Sequence, residues 1–286
     1  MDILQPLVEA FSLPFMQRAT LAVILIGAVS GVMGAYVVTR GMAFLGDALA
    51  HTILPGVSIA FLASNGNPQW VFVGGLGAGV LSAILIGLLT RGGHLSEDTA
   101  IGVVFAGALA LGIGIISLAD NYSTDLTHIL IGNVLAVRND DLLLIAGVGV
   151  VVLLLIAVFY KEFLILSFDP THARTLRLPG EALRLVLLVA LALTVVISLR
   201  AVGIAMVAAM LVTPAATARF FVRRLHHMMM LAALIGALGG AVGMYITWRL
   251  SIAPSAAIVL TLTLAFGVAF LFAPGKGLLW SARRNP

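Results

Sequence analysis

Residues 142–161 read LLLIAGVGVVVLLLIAVFYK, a run with no charged side chain before Lys161. About 20 apolar residues cross the hydrocarbon core of a bilayer as a helix, which satisfies its own backbone hydrogen bonds. Similar stretches recur along the chain, and the sequence predicts nine: 18–39, 44–64, 70–90, 99–119, 142–161, 183–200, 203–221, 228–248 and 254–273. If one of them does not cross, eight remain. We therefore predict one all-α polytopic membrane domain, 1–286, with eight to nine transmembrane helices.

Composition supports the membrane assignment and excludes other classes of protein. Of 286 residues, 61% are hydrophobic and 10% charged, with a mean hydropathy of +1.15, so a water-soluble fold could not cover the apolar surface. The net charge of +4 comes from loops and the C-terminal tail, as in cytoplasmic loops rather than nucleic-acid-binding surfaces. Cysteine is absent, which excludes disulfides and thiolate metal sites. Residues 1–17 have no basic side chain and predict an interfacial segment, not a cleaved signal.

The distribution of basic residues predicts the orientation in the membrane. Lysine and arginine concentrate in residues 161–184, in residues 219–224 and in the C-terminal tail. Placing these regions inside puts the C-terminus in the cytoplasm and, with nine helices, the N-terminus outside. Residues 120–141 then face outward, where the apolar stretch 129–137 could form a re-entrant half-helix covered by protein. Arg200 is expected at the outer face.

Asp47 and His51 are the only acidic or basic side chains between Arg40 and Arg91. Their i, i+4 spacing places both on one face of a helix, and carboxylate oxygen with imidazole nitrogen suits Mn, Fe or Zn. An aspartate within a span costs about 3 kcal/mol or more unless it is paired or hydrated. Either Asp47 is neutralised by His51 or caps the helix, or the pair binds a metal, with two facing copies supplying four ligands. Pro55 is expected to kink this helix.

The longest cytoplasmic loop, residues 162–182, contains a predicted short helix. Asp169 is expected to cap it, with Pro170 at its first position. The helix is predicted over 171–178, where Pro179-Gly180 ends it. From the residues alone, this helix is either a docking element for a soluble partner or an ordinary structured loop.

A third pattern surrounds Pro214 in VAAMLVTPAATA, residues 207–218. Small residues beside a proline predict a bent and closely packed helix. Met206 and Met210 are interpreted as packing residues rather than soft metal ligands. His128 is a candidate for metal entry. Four of the histidines outside the pair are assigned to loops or solvated positions: His94, His128, His226 and His227.

These patterns together resemble the permease subunits of manganese-, zinc- and iron-type ABC importers. The likeness is greatest in RGMAFLGDALAHTILPGV, residues 40–57, which contains Asp47 and His51. It continues in order along nearly the whole chain, through SEDTAIG (96–102), LIGNVL (130–135), Asp169-Pro170 with Ala173-Arg174, and LVTPAATA (211–218). The resemblance implies a type II-like ABC permease architecture in a bacterial cell membrane.

The resemblance also implies partners and roles for particular residues. A second permease copy, a cytoplasmic ABC ATPase dimer and an extracytoplasmic metal-binding protein are expected. Asp47 and His51 match positions that coordinate the transported ion, Mn²⁺ in preference to Zn²⁺ or Fe²⁺, and no permanently bound cofactor is expected. Two further groups are predicted, an ATPase-coupling group (Asp169, Pro170, Thr171, Ala173, Arg174, Gly180) and a pathway or gating group (Pro55, Met210, Thr213, Pro214).

A self-sufficient, ion-coupled secondary metal transporter is the alternative function. It would need further acidic residues within the spans for coupling, and the sequence shows none. The motifs GxxxxGK[ST], GxSxG and HExxH are also missing from the sequence. The chain is therefore predicted to have no catalytic residues, with ATP hydrolysis on a separate subunit.

Overall fold

The structure is a computed structural model that describes residues 12–93, 95–118, 134–274 and 277–279. Short 3-10 turns lie at Arg91–Gly93 and Val134–Ala136. Within the described residues the chain forms twelve α-helices: α1 Pro14–Thr39, α2 Leu45–Thr52, α3 Leu54–Ser64, α4 Pro68–Leu89, α5 Glu97–Ser117, α6 Asn139–Val158, α7 Tyr160–Phe168, α8 Pro170–Thr175, α9 Gly180–Val202, α10 Ile204–Phe221, α11 Leu225–Leu250 and α12 Pro254–Phe272.

The lengths of these helices confirm the prediction of eight to nine transmembrane helices. Eight stretches of the described chain are long and apolar enough to cross a membrane, judged by length and composition. They are α1, α2 together with α3, α4, α5, α6, α9, α11 and α12, while residues 206–221 of α10 form a shorter apolar helix. Many of their exposed side chains are leucine, valine and phenylalanine, as expected where lipid replaces water.

Prolines account for the helix bounds that matter most here. The predicted span 44–64 is interrupted at Ile53, two residues before Pro55, because proline cannot donate the next helical hydrogen bond. α1 begins at Pro14, earlier than predicted, since proline suits the first helical position. Most of the predicted interfacial segment 1–17, and most of the proposed re-entrant stretch 129–137, lie outside the described residues.

α1 and α9 form the centre of the bundle. α1 packs against α11, α10, α6 and α9, and α9 also packs against α4 and α2. Glycine lets α1 and α11 approach at backbone distance, since a Cβ atom on Gly31 would lie 2.6 Å from the carbonyl carbon of Ala232. These contacts hold a fixed block of helices, against which α2 packs between α5 and α10.

Ionic contacts mark the two ends of the bundle. At one end, here named the Arg40 end, Nη2 of Arg40 donates to Oε1 of Glu97 at 2.9 Å. At the other, the Arg200 end, Nη2 of Arg200 lies 2.8 Å from Oδ1 of Asp141, and its guanidinium lies 5.0 Å from the centre of the Phe72 ring. Arg200 and Arg40 thus lie at opposite ends, the arrangement that an outer-face position for Arg200 requires.

Candidate metal centre

Helix α2 presents Asp47 and His51 on the face that its neighbours leave uncovered. The other residues of α2 are buried, whereas the side chains of Asp47 and His51 are 38% and 29% exposed. Oδ1 of Asp47 and Nε2 of His51 are 3.9 Å apart, which is longer than a hydrogen bond. The two groups are therefore close enough to share a ligand, but they do not bond directly to each other.

The partly exposed residues continue as a stripe along α2 and α3. Asp47 and His51 are four residues apart on α2, and the half-buried Pro55 and the exposed Ile59 are four apart on α3, after the interruption at Ile53. Residues four apart lie on one helix face. Ala43 is exposed in the turn before α2. We name these five residues the open face. The Asp47–His51 pair lies in the middle of this set, which one copy of the chain only partly covers.

Aromatic contacts fix the orientation of the His51 ring. Its centroid lies 5.6 Å from the Phe105 ring of α5 in an edge-to-face arrangement, and Phe44 packs edge-on against the same phenylalanine. Nδ1 of His51 is buried and has no hydrogen-bond partner among the described residues. This nitrogen is therefore free to bond to a group outside the described residues, although several other buried polar atoms of the chain, such as Nη1 of Arg40, also lack a described partner.

The contact with Phe105 also defines the height of the pair in the bundle. Phe105 lies in the first half of α5, about 12 Å from its start at the 1.5 Å rise of a helical residue. Next to Asp47, Gly46 approaches Leu211 of α10, where an added Cβ would lie 2.5 Å from Cδ2 of that leucine. The pair therefore lies well inside the bundle, nearer the Arg40 end than the Arg200 end.

A single chain supplies two ligands of the type a metal needs. The described part of the chain contains no group of three or more His, Cys, Asp or Glu side chains that could hold a metal ion together. Carboxylate oxygen and imidazole nitrogen can bind Mn, Fe or Zn, yet two ligands are too few for a specific site. His94 and His128 lie outside the described residues, and the rings of His226 and His227 on α11 have centroids 4.1 Å apart in a tilted arrangement.

The predicted coupling group lies around α8. Oδ1 of Asp169 accepts a hydrogen bond from the backbone N–H of His172 at 2.9 Å, which confirms the predicted cap. The helix ends at Thr175, three residues before the predicted end, because Arg177 adopts a left-handed conformation with φ 53°. The backbone N–H groups of Arg177 and Leu178 then donate to the carbonyls of Arg174 and Ala173, a Schellman motif.

The side chains of the predicted coupling group differ in their burial. Ala173 is buried, and Thr171 and Arg174 are exposed. Gly180, at the start of α9, is half-buried. The helix is closed at both ends by hydrogen bonds, and residues 176–179 connect it to α9. The role of these residues in coupling stays a prediction.

The predicted gating group lies on α10, with Pro55 on α3. Met206 and Met210 are fully buried, in agreement with a packing role, and Pro214 is also buried. Thr213 is half-buried, and its carbonyl accepts a hydrogen bond from the Thr217 hydroxyl at 2.7 Å. Since Pro214 has no N–H group, the regular helical bond to the carbonyl of Met210 is absent. Gating by this helix stays a prediction.

One charged cluster was not predicted from the sequence. Glu97 Oε1 is bonded to Arg40 and lies 3.9 Å from Nη1 of Arg184. Nη2 of Arg184 also donates to the carbonyl of Gly87 at 3.0 Å and to Oε2 of Glu181 at 3.2 Å. Burial lowers the pKa of the Arg40 guanidinium, and the Glu97 carboxylate opposes that change. We name Arg40, Glu97 and Arg184 the inner cluster.

The helices long enough to cross a membrane define a multi-pass membrane protein, and comparisons with known proteins identify its family. Residues 12–273 match the ABC 3 transport family. The chain is 43% identical to the manganese transport system membrane protein MntC of Listeria monocytogenes, over 95% of both proteins. It is 36% identical to the chelated iron transport system membrane protein YfeD of Yersinia pestis, over 92% of this chain and 87% of that protein.

A solved structure shows the same architecture. PsaBC from Streptococcus pneumoniae, in complex with a Fab, contains a chain with a TM-score of 0.84 and 36% identity, covering 99% of this chain and 100% of that one. The chain belongs to the ABC 3 transport family. It is a multi-pass cell-membrane protein and the permease subunit of an ABC importer, which confirms the resemblance found in the sequence.

Proposed function

We propose that this permease carries a divalent transition metal, Mn²⁺ first, into the cytoplasm through a site built from the Asp47 and His51 residues of two permease copies. The observation that carries the proposal is the open face. It presents one oxygen and one nitrogen ligand, together with a buried ring nitrogen that has no partner in the described part of the chain. Two facing copies would supply four ligands, and water would complete the coordination of an ion in transit.

The ligand atoms of Asp47 and His51 limit which metal ions the site would carry. Oxygen and nitrogen ligands suit Mn²⁺, Fe²⁺ and Zn²⁺, and a chain without cysteine offers no thiolate to select a softer ion. Several relatives are named as manganese transport proteins, and one as a chelated iron transport protein. These names support manganese over the other two ions. The ion is the cargo of the site rather than a resident cofactor.

The two ends of the bundle then take different partners. The Arg40 end faces the cytoplasm together with the C-terminus, and residues 169–180, here named the coupling segment, dock on a cytoplasmic ABC ATPase dimer. An extracytoplasmic metal-binding protein delivers the ion at the Arg200 end. This orientation is supported by the lysine and arginine residues of the loops on the Arg40 side. ATP binding and hydrolysis switch the access of the pair from one side to the other.

Uptake by reconstituted vesicles tests this function. Vesicles that contain the permease, its ATPase and its binding protein should accumulate Mn²⁺ only with ATP, and Zn²⁺ and Fe²⁺ should compete less well. Asp47→Ala or His51→Ala should lower the uptake about 100-fold or more, because each ligand is lost twice in the two-copy site. Asp140→Ala is the matched control, since Asp140 is 82% exposed and lies 3.9 Å from its nearest basic partner, Arg138. Unchanged uptake in the Asp47 and His51 variants would refute the site.

A further inference from the structure

The inner cluster lies between the coupling segment and the ligand-bearing helix. Arg184 lies in the first turns of α9, which begins at Gly180, the end of the coupling segment. Glu97 is the first residue of α5, the helix whose Phe105 packs against His51. Arg40 caps α1 and is followed by the short turn that leads into α2. One carboxylate thus joins the element that would receive the ATPase movement to the two that position the metal ligands.

Arg184 contacts α4 and its own helix α9 directly, and it also faces Glu97 of α5. Its guanidinium donates to the carbonyls of Gly87 and Thr90 at the C-terminal end of α4, which favours a cation there. Its bond to Glu181 stays within the first turn of α9. The contact with Glu97 is of a different kind. Oε1 of Glu97 lies 3.9 Å from Nη1 of Arg184, and the same oxygen accepts a hydrogen bond from Arg40 at 2.9 Å. Arg184 therefore ties α9 to α4 by itself, and it reaches α1 and α2 through Glu97.

The two arginine side chains of the inner cluster lie largely away from water. The side chains of Arg40 and Arg184 are only 11% and 15% exposed. The Arg40–Glu97 contact is a charged hydrogen bond, which is stronger away from water, whereas Arg184 faces the same carboxylate as an ion pair at 3.9 Å, longer than a hydrogen bond. A shift of the first turn of α9 would change the distance between Arg184 and Glu97, and the Arg40–Glu97 hydrogen bond would pass that change to the turn before α2.

We propose that Glu97 is a positioning residue that carries movement of the coupling segment to α2 and so controls the metal-ligand pair. This inference rests on the proposed function, because it needs a coupling segment and a transported ion. Glu97 touches neither the ion nor the ATPase in this scheme. Its loss should lower the number of ions imported for each ATP hydrolysed, while ATP hydrolysis itself continues.

The ratio of Mn²⁺ imported to ATP hydrolysed, measured in vesicles that contain the complete transporter, tests the inference. Glu97→Gln removes the charge and should lower the ratio about 5-fold or more, the usual lower range of coupling between sites. Glu97→Asp keeps the charge on a shorter side chain and should lower it less, so it carries the test if Glu97→Gln does not assemble. Glu181→Gln is the matched control, because it removes another carboxylate from Arg184 within a single helix. Its ratio should equal that of the wild type.

The outcomes separate the possible explanations. A purely structural role for Glu97 would lower uptake and ATP hydrolysis together and leave their ratio unchanged, which would overturn the inference. An unchanged ratio would also be expected if direct packing of α9 on α2 carries the movement. A ratio that falls equally in Glu181→Gln would show a general charge effect and would likewise overturn it. A wild-type complex without ATP-dependent Mn²⁺ uptake would instead refute the proposed function.

Discussion

Arg40 of the inner cluster lies shortly before the Asp47–His51 pair in the chain, yet the described residues complete the contacts of only one of these two groups. Arg40 has a carboxylate oxygen at 2.9 Å on another helix, which compensates its charge even though Nη1 of Arg40 lacks a partner among the described residues. Asp47 and His51 lie on one helix, 3.9 Å apart and partly exposed. Charges that are compensated across helices hold the bundle together, whereas the Asp47–His51 pair is left open at a surface, where the proposed function places an ion and a second copy of the chain.

The largest expected effect concerns the second chain. If two copies complete the site, metal–ligand bonds of about 2 Å bring the two open faces together around one ion. Ala43 is exposed in the turn that leads into α2, four residues before Asp47, and the chain has no cysteine of its own. Ala43→Cys should therefore be converted almost completely to a covalent dimer by a short bifunctional maleimide, as measured by gel electrophoresis.

The control for this cross-link is another exposed alanine. Ala157 lies on α6 between the strongly exposed Leu154 and Val158, a face that we expect to contact lipid. Ala157→Cys should stay monomeric under the same conditions. A monomeric Ala43→Cys protein within the assembled transporter would contradict a site shared by two identical copies and would favour a different second permease.

The next effect compares the stability of the two charged groups. Glu97→Ala leaves two largely buried arginines without their shared carboxylate and should cost about 3 kcal/mol of stability. Asp47→Ala should change stability by only about 0.5 kcal/mol, because no partner bonds to Asp47 within hydrogen-bond distance in the described chain. The apparent Tm of the purified transporter measures both. Equal losses of Tm in the two variants would show that Asp47 belongs to the scaffold after all.

The smallest effect concerns the support of the His51 ring. Phe105→Leu keeps an apolar side chain but removes the edge-to-face contact, so the imidazole should be less well oriented. We expect Mn²⁺ uptake at low ion concentration to fall about tenfold, equivalent to about 1.4 kcal/mol. Phe266→Leu, in an aromatic cluster on α12, should leave uptake unchanged. Similar losses in both variants would show that the contact with His51 has no special role.

Local patterns in the sequence predicted the helices and several of their ends. Apolar length predicted the spans, Pro55 predicted the interruption at Ile53, and Asp169 predicted its own cap. Ser96 likewise caps α5 by accepting from the N–H of Thr99 at 3.2 Å. Each of these features depends on residues within one helical turn, so the sequence contains all the information needed.

Contacts between distant segments could not be predicted in this way. Glu97 appeared in the sequence only as part of SEDTAIG, residues 96–102, and nothing nearby in the sequence identifies Arg40, 57 residues earlier, as its partner. The end of α8 was also placed too late, because a left-handed arginine at position 177 carries no signal like that of glycine. The pairing of Asp47 with His51 was predicted, whereas the unpartnered Nδ1 of His51 depends on how α5 packs.

The shortness of α2 has a thermodynamic consequence for the transported ion. Isolated helices below about 12 residues are marginal in water, so the eight residues of α2 depend on the burial of Leu45, Ala48 and Leu49 for their conformation. If Asp47 and His51 bind the ion as proposed, its dissociation constant depends on the fit of the surrounding helices as well as on its ligands. A tenfold change in that constant requires about 1.4 kcal/mol, roughly the burial of two methylene groups. Slight repacking around α2 would be enough to change retention into release without replacing a single ligand.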